Sequence, residues 1–470
     1  MAVAQPTIFT AKAHDAIQMA KQKNEPFFVS EIIKLHDLVD PKSFYRAGQV
    51  AFQGERFYWN NADKTIHLVG LGNIFSIQSD EGHGRFADVE KEWTKFKGRV
   101  IANREESIEG TGPVLFGGFS FDPRKREEGI WSSFPNALFF VPQFLLTIDD
   151  NHDAYVSVTF MCTPDDDISI ATKISNQLDK VLENAKVSMS IQMPSLVSNT
   201  EVAPIEWKDS VAEAIKRMQN KELEKVVLAR TLQLDYKKPV DDSMVITSLE
   251  QEQTDSYIFS FNWGESSFVG ATPERLVLKT NGQARSTCLA GSIGIGENEE
   301  ETNTLAHWLL HDEKNTEEHQ YVVQHISNTF EKLCAKVEVD EKPRVLKMRH
   351  IQHLFTGVKG EALHHVSLLD FVESLHPTPA LGGTPRNKAL QLIRDLEPLD
   401  RGFYAAPLGW CDFEDNGEFV VGLRSGLIQG NIVTLFAGCG VVASSDPEKE
   451  FEETSIKFKP MLTALGGMEN

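Results

Sequence analysis

The last helix predicted in the chain carries side chains whose types and spacing could do chemistry. Glu450, Glu453 and Lys457 lie at positions i, i+3 and i+7, so one helix face would present two carboxylates and an ammonium. Paired carboxylates could hold a hard cation. The same spacing is also typical of a solvated helix face with an ordinary salt bridge. Spacing alone leaves both interpretations open.

Two further stretches place carboxylates where a reaction could use them. Glu317-Glu318-His319 lies on a helix that begins near Glu313, although adjacent acids on a helix are usually surface residues. Glu274 follows a Thr-Pro pair in a turn between two apolar strands. It therefore lies either near the sheet surface or in a functional site, and the pattern does not separate these.

Oxygen ligands fit this sequence better than nitrogen or sulfur ligands. His307 and His311 have the i, i+4 spacing of a zinc pair, but the glutamate of the HExxH pattern and a third ligand are both missing. The five cysteines are scattered without a C-x-x-C pair, which argues against a zinc site and against a disulfide framework. Carboxylates from separate helices suit Mg²⁺.

The elements that must position these residues are mostly strands in hairpins. A helix is predicted at Ser210-x-x-Glu213, which fits a capping box, and a strand follows it. Asn281-Gly282 predicts a hairpin turn, and Asp446-Pro447 predicts the start of the last helix. The other predicted elements are strands at 225–230, 257–263, 276–279, 419–425 and 432–437 and a long amphipathic helix at 313–334. This arrangement favours a mixed α/β fold with antiparallel sheets.

The first half of the chain reads as strands joined by turns and offers no catalytic pattern. A polar segment at 190–204 divides the sequence into residues 1–195 and residues 205–465. No stretch is apolar enough to span a membrane, and the N-terminus does not resemble a signal peptide, so a cytoplasmic protein is expected. The net charge of −21 argues against nucleic acid, and it requires any site for an anion to supply local positive charge.

The order of motifs in residues 205–465 resembles that of chorismate-utilising enzymes, the family of anthranilate, aminodeoxychorismate, salicylate and isochorismate synthases. The matching segments are 225–230, 270–275, 289–292, 318–319, 376–380, 422–425, 437–440 and 453–454. The resemblance implies one large α/β (α+β) unit with two packed, mainly antiparallel sheets between helical layers, like anthranilate synthase component I. The polar segment near 195 would then be a connection inside one fold.

Two positions indicate a branch of this family. Aminodeoxychorismate synthases carry a lysine nucleophile where this chain has Ala290, and anthranilate synthases usually lack a lysine at the position of Lys225. The resemblance therefore implies water as the nucleophile and an isochorismate synthase, an isomerase that acts on chorismate. The long N-terminal region resembles the menaquinone type of that enzyme more than the siderophore type.

The resemblance also implies catalytic roles. Lys225 would be the general base for water that adds at C2, and Glu274 the general acid for the departing C4 hydroxyl. These roles require the pKa of the lysine to be lowered and that of the glutamate to be raised.

Mg²⁺ is the implied cofactor, because it would meet the substrate's ring carboxylate and offset the charge of an acidic protein. Glu318 and Glu453 are the expected ligands, and Glu450 is expected to act through a metal-bound water. The other expected substrate contacts are Gly291, Ser292, His376, Ala380, Tyr404, Arg424, Gly438 and Lys457.

Other functions remain open at this point. Salicylate synthase is the nearest alternative, followed by a siderophore-pathway isochorismate synthase and by anthranilate synthase, which would need a glutaminase partner. A catalytically silent binding protein would be expected to have lost Lys225 or a metal glutamate. Chorismate is the expected partner, and no nucleic acid, membrane or glutaminase subunit is expected.

Overall fold

A computed structural model describes residues 6–82, 84–102, 108–124, 129–187, 192–349 and 351–467. The helices in these ranges are α1 (Pro6–Lys23), α2 (Pro41–Ala47), α3 (Arg85–Lys97), α4 (Ser169–Ala185), α5 (Pro204–Gln219), α6 (Asp242–Glu252), α7 (Glu299–His311), α8 (Glu313–Leu333), α9 (Leu368–Leu375), α10 (Arg386–Leu396) and α11 (Pro447–Ala464). Within the described ranges, none of them has the length and apolar character needed to cross a bilayer.

The strands are divided between two large sheets. Those of the first half are β1 (Phe27–Lys34), β2 (Glu55–Asn60), β3 (His67–Leu71), β4 (Phe75–Ser79), β5 (Val100–Ala102), β6 (Leu115–Phe119), β7 (Ala137–Val141), β8 (Phe144–Ile148) and β9 (Ala154–Cys162). Those of the second half are β10 (Leu196–Glu201), β11 (Lys225–Tyr236), β12 (Tyr257–Trp263), β13 (Ser266–Thr272), β14 (Arg275–Thr280), β15 (Gln283–Gly294), β16 (Cys334–Val339), β17 (Arg344–Lys347), β18 (Ile351–Ala362), β19 (Gly383–Thr384), β20 (Pro407–Cys411), β21 (Gly417–Val421), β22 (Ser425–Gln429) and β23 (Ile432–Val442).

Each sheet contains strands from both halves of the chain. The larger sheet has the order β10-β11-β23-β22-β13-β12-β2-β3-β8-β9-β1-β5, with β19 paired to β11. The smaller sheet has the order β16-β18-β15-β14-β21-β20-β6-β7-β4, with β17 paired to β18. The β1–β5 pair is parallel, and the ladders around it are antiparallel. The predicted mixed α/β fold with two mainly antiparallel sheets is confirmed.

The two faces of the larger sheet are buried by different partners. Strand β2 shows this directly, because Phe57 and Trp59 point towards the smaller sheet while Tyr58 points towards the helices. Phe57 stacks on Phe116 of the smaller sheet with ring centroids 4.0 Å apart. On the opposite face, α1, α2, α4, α6 and α11 cover a second apolar cluster.

Local signals at two element boundaries are confirmed. Asn281 and Gly282 both have positive φ and join β14 to β15 in a tight hairpin. The Asp446 side chain accepts hydrogen bonds from the Glu448 and Lys449 amides at the start of α11, with Pro447 in the first turn.

Two local predictions are wrong. Helix α5 begins at Pro204, six residues before the predicted capping box, and the Ser210 hydroxyl donates to the Glu206 carbonyl inside the helix. The strand predicted at 419–425 is two strands in different sheets, because the chain changes direction at residues 422–424. Arg424 has a φ of 47°, and this left-handed conformation ends the continuous strand.

Candidate active site

Glu274 and Arg424 lie where the chain crosses from one sheet to the other. A two-residue connection that includes Glu274 joins β13 of the larger sheet to β14 of the smaller one, and residues 422–424 join β21 to β22. The Ala271 amide donates to the Arg424 carbonyl at 3.1 Å, and the Val421 amide donates to the Glu274 carbonyl at 3.0 Å. The two crossings are therefore fixed side by side.

A cavity of about 210 Å³ lies beside these crossings. It brings together residues of β11, β15, β18, β23, α8 and α11 with those of the loops before β19 and β20. The sequence-predicted residues that line it are Glu274, Gly291, Ser292, Glu318, Ala380, Tyr404, Arg424, Gly438, Glu450, Glu453 and Lys457. Ala290 also lines it. A larger cavity, of about 730 Å³ around Glu418, contains none of the predicted site residues.

Glu274 carries a buried carboxyl beside the cavity. Within the described residues, nothing donates to its carboxylate, and the side chain is 8% exposed. Burial raises the pKa of Glu274 to about 7, against the opposing charges of Arg424, Lys225 and Lys457. The carboxyl therefore exchanges its proton near neutral pH.

Positively charged side chains line part of the cavity wall. The Lys457 ammonium is 2.7 Å from Glu453 and donates to the Gly438 carbonyl at 2.8 Å. Burial lowers the pKa of the Arg424 guanidinium from its ordinary value, and arginine side chains keep their charge in proteins. Tyr404 is buried beside them, with its ring stacked on Phe436. This wall can hold carboxylates.

The three glutamates expected around a metal line the same cavity from two helices. Glu318 is on α8, and Glu450 and Glu453 are on α11. Burial raises the pKa of Glu450, and the charge of Glu453 adds to this rise. No group of three metal-ligating side chains is close enough together, among the residues described, to hold an ion as they stand. Repulsion between neighbouring carboxylates nevertheless suits a site that takes a cation.

Lys225 lies at the border of the cavity. It lines a neighbouring depression of about 740 Å³, and its ammonium is 2.5 Å from the Glu318 carboxylate. Glu318 lines both spaces. Gly440 leaves room for the lysine, because a Cβ there would lie 2.8 Å from its Cε atom. The Lys225 side chain is thus separated from the cavity by its own ion pair.

The segment around Gly291 and Ser292 is held by residues that sequence reasoning missed. The Ser292 amide donates to the Asn315 side chain at 3.1 Å, so this amide is not free to donate to a substrate. Gly291 has a φ of +76°, and a Cβ there would lie 3.1–3.3 Å from Asn315. The Ser292 hydroxyl contacts Nδ1 of His353 at 2.8 Å.

His353 is the missed residue with the clearest place in the site. It lines the cavity, and its Nε2 atom is buried without a partner in the described part of the chain. Burial lowers the pKa of this imidazole to about 3, and the charges of Arg424 and Lys457 add to the effect, so it is neutral at physiological pH. Local pattern does not show this, because the pairing of His353 with Ser292 joins two distant strands.

The structure places His376 outside the cavity, although sequence reasoning predicted a substrate contact. Its Nε2 donates to the Phe121 carbonyl at 3.1 Å, and its ring packs edge-on against the Phe121 ring. Burial keeps its pKa well below the ordinary value. A neutral, buried histidine in this position connects two segments of the fold.

Comparison with known proteins gives the same family along nearly the whole chain. The family model described as chorismate binding enzyme matches residues 15–466. Isochorismate synthase MenF of Bacillus subtilis (strain 168) is 38% identical over 472 residues, which cover 98% of each chain. The salicylate biosynthesis isochorismate synthase of Pseudomonas aeruginosa is 33% identical over 97% of this chain and 94% of that protein.

A solved structure shows the same fold. The menaquinone-specific isochorismate synthase MenF from Escherichia coli matches with a TM-score of 0.78 over 96% of this chain and 99% of that chain, at 24% identity.

Proposed function

The chain belongs to the chorismate-binding enzyme family, and we propose that it is an isochorismate synthase, an isomerase that converts chorismate to isochorismate. The observation that carries this proposal is Ala290 in the cavity wall, at the position where aminodeoxychorismate synthases have a lysine nucleophile. The wall offers no amine to the ring there. Two relatives that match almost the whole chain bear the name of this reaction.

Glu274 is the proposed general acid. Hydroxide is a poor leaving group, so the C4 hydroxyl must receive a proton as its bond to the ring breaks. A carboxyl with a pKa of about 7 holds that proton near neutral pH and still releases it readily. The double bonds shift as water adds at C2, and one water enters for the one that leaves.

Lys225 is the proposed general base. A lysine that accepts a proton from water must be neutral, whereas the Glu318 carboxylate at 2.5 Å stabilises the charged form. We therefore expect this ion pair to open before the base acts. The depression beside Lys225 offers a route by which water reaches it.

Arg424, Lys457 and Tyr404 are the proposed anchors of the substrate's carboxylates. Arg424 offers the planar fork that binds a carboxylate with two hydrogen bonds. His353 is neutral and lines the same cavity, and its Nε2 has no hydrogen-bond partner among the described residues. If the Ser292 hydroxyl donates to Nδ1, then Nε2 carries the proton and donates to the substrate.

Mg²⁺ is the proposed cofactor. Glu318 and Glu453 would hold it directly and Glu450 through a water, because carboxylate oxygens on separate helices are the ligands that it prefers. Bound there, it would supply positive charge to the substrate's ring carboxylate. Burial raises the pKa of Glu450, and a bound cation would offset the cost of its charge, which supports this assignment.

The pathway proposed for the product is menaquinone synthesis, supported by the whole-length similarity to MenF of Bacillus subtilis. The proposed chemistry needs no glutaminase, because water and not ammonia is the nucleophile. The cytoplasmic location expected from the sequence stays a prediction.

Product identification tests the function. The purified protein is incubated with chorismate and Mg²⁺, and the products are separated and identified by mass and ultraviolet spectrum. We expect isochorismate to accumulate. Salicylate with pyruvate would show that the site also eliminates, and anthranilate formed only with ammonia would overturn the proposal.

A further inference from the structure

Two of the three glutamates proposed for the metal are paired with lysines of the same chain. Glu318 accepts from Lys225 at 2.5 Å, and Glu453 accepts from Lys457 at 2.7 Å. The third, Glu450, is 5% exposed and lies close to Glu453, so it adds a buried negative charge. Without a metal ion, a nearby cation would offset this buried charge.

Lys314 is positioned to supply the compensating positive charge. This lysine lies on the first turn of α8, four residues before Glu318, so the two side chains share a helix face. It lines the cavity together with Glu450 and Glu453. Burial raises the pKa of the Glu450 carboxyl, and the Lys314 ammonium opposes that rise.

The Lys314 side chain also has access to the neighbouring depression. It is exposed and lines this depression as well as the cavity. The depression offers four acidic partners outside the proposed metal site, which are Glu222, Glu224, Glu313 and Glu317. A flexible lysine can move between the two spaces by rotating about its own side-chain bonds.

We propose that Lys314 is an exchangeable counter-cation, which compensates Glu450 and Glu453 when no metal is bound and withdraws into the depression when a divalent cation enters. The inference rests on the proposed metal site. It predicts that Lys314 weakens metal binding, because the ion must displace a charge of its own sign.

Titration of the intact protein with Mn²⁺ followed by electron paramagnetic resonance, and with Mg²⁺ followed by calorimetry, tests the proposal without substrate. Lys314→Met should bind either ion about fivefold more tightly at low ionic strength, the size expected for one unit charge near a divalent ion. The difference should shrink in high salt. Lys314→Arg keeps the charge and should bind like the wild type.

Lys388→Met is the matched control, because Lys388 lines the same depression but donates to the Glu222 carbonyl. It should leave the metal affinity unchanged. Unchanged or weaker binding by Lys314→Met, with normal binding by the wild type, would overturn the role of Lys314 and leave the proposed function intact. A wild-type protein that binds neither ion would overturn the proposed metal site and this inference with it.

Discussion

Two glutamates in different regions of the molecule show how the surroundings of a carboxyl decide what it does. Glu250, on α6 against the outer face of the larger sheet, is 13% exposed, and Glu274 in the cavity is 8% exposed. Burial alone would raise the pKa of both. For Glu250, hydrogen bonds from His67, Lys42 and Tyr58 reverse this and hold the pKa well below its ordinary value.

The difference lies in the donors and not in the depth of burial. The Glu250 carboxylate accepts hydrogen bonds from Tyr58 at 2.6 Å, Asn60 at 2.8 Å and Lys42 at 2.8 Å. Glu274 has positive charges nearby but no donor to its carboxylate among the described residues. A carboxyl with donors is a fixed anion that stabilises the fold, whereas one without them retains a proton that a reaction can use.

The largest expected effect is the loss of activity when the Glu274 carboxyl is replaced. Glu274→Gln should lower kcat about 10³-fold, because an amide cannot deliver a proton to the leaving hydroxyl. Glu250→Gln serves as the control and should keep kcat within a factor of two or so of the wild type, since it is remote from the cavity. Initial rates of isochorismate formation at saturating chorismate measure both. A Glu274→Gln variant with more than a tenth of the activity would remove the acid role.

Stability at pH 7 should depend on Glu250, which is not expected to affect activity. Glu250→Gln should lower the free energy of unfolding by about 2 kcal/mol at pH 7, because three donors and His67 lose their anion. The folded pKa of Glu250 is depressed, so its stabilisation is fully present above the unfolded pKa and is lost progressively as the pH falls from there through the folded pKa. Urea unfolding at pH 7 and pH 3 measures this, with exposed Glu265→Gln as the control. Equal losses at both pH values would contradict the explanation.

Glu274→Gln should instead stabilise the protein in alkaline solution. The folded pKa of Glu274 is raised to about 7, so ionisation costs stability as the pH rises from the unfolded pKa through 7. The variant should exceed the wild type by about 1–2 kcal/mol at pH 8 and match it near pH 4.5. Urea unfolding at the two pH values gives both differences. A variant less stable than the wild type at pH 8 would show that the carboxylate has a stabilising partner.

The last prediction concerns how kcat/KM of the wild type depends on pH. For the wild type, kcat/KM should fall about tenfold per pH unit above pH 7, as the free enzyme loses the Glu274 proton. The carboxylates of chorismate titrate far below this range and do not contribute. A profile that stays flat to pH 9 would mean that another group supplies the proton.

The sequence predicted the fold where local rules decide it. The Asn281-Gly282 turn and the Asp446 cap follow from the conformations and side chains of those residues alone. The capping box at Ser210 failed because serine can also bond to the preceding turn inside a helix. The prediction of one strand at 419–425 failed because only tertiary contacts show where a chain leaves one sheet for another.

The candidate site was predicted through family motifs more than through spacing. Eleven of the residues expected from these motifs line one cavity, whereas Lys225 lies at its border and His376 away from it. His353 and Asn315 were missed because each acts through Ser292, and that contact depends on strand pairing and on the start of α8. Their roles in catalysis remain predictions.

The two crossings between the sheets restrict how this enzyme can change in evolution. Glu274 and Arg424 lie on connections of two and three residues between strands that are hydrogen-bonded in different sheets. A strand reverses the face of every side chain when its register slips by one residue. An insertion or deletion here would therefore turn the acid and the guanidinium away from the cavity. Homologues can exchange residues at this point, but they should rarely differ in length.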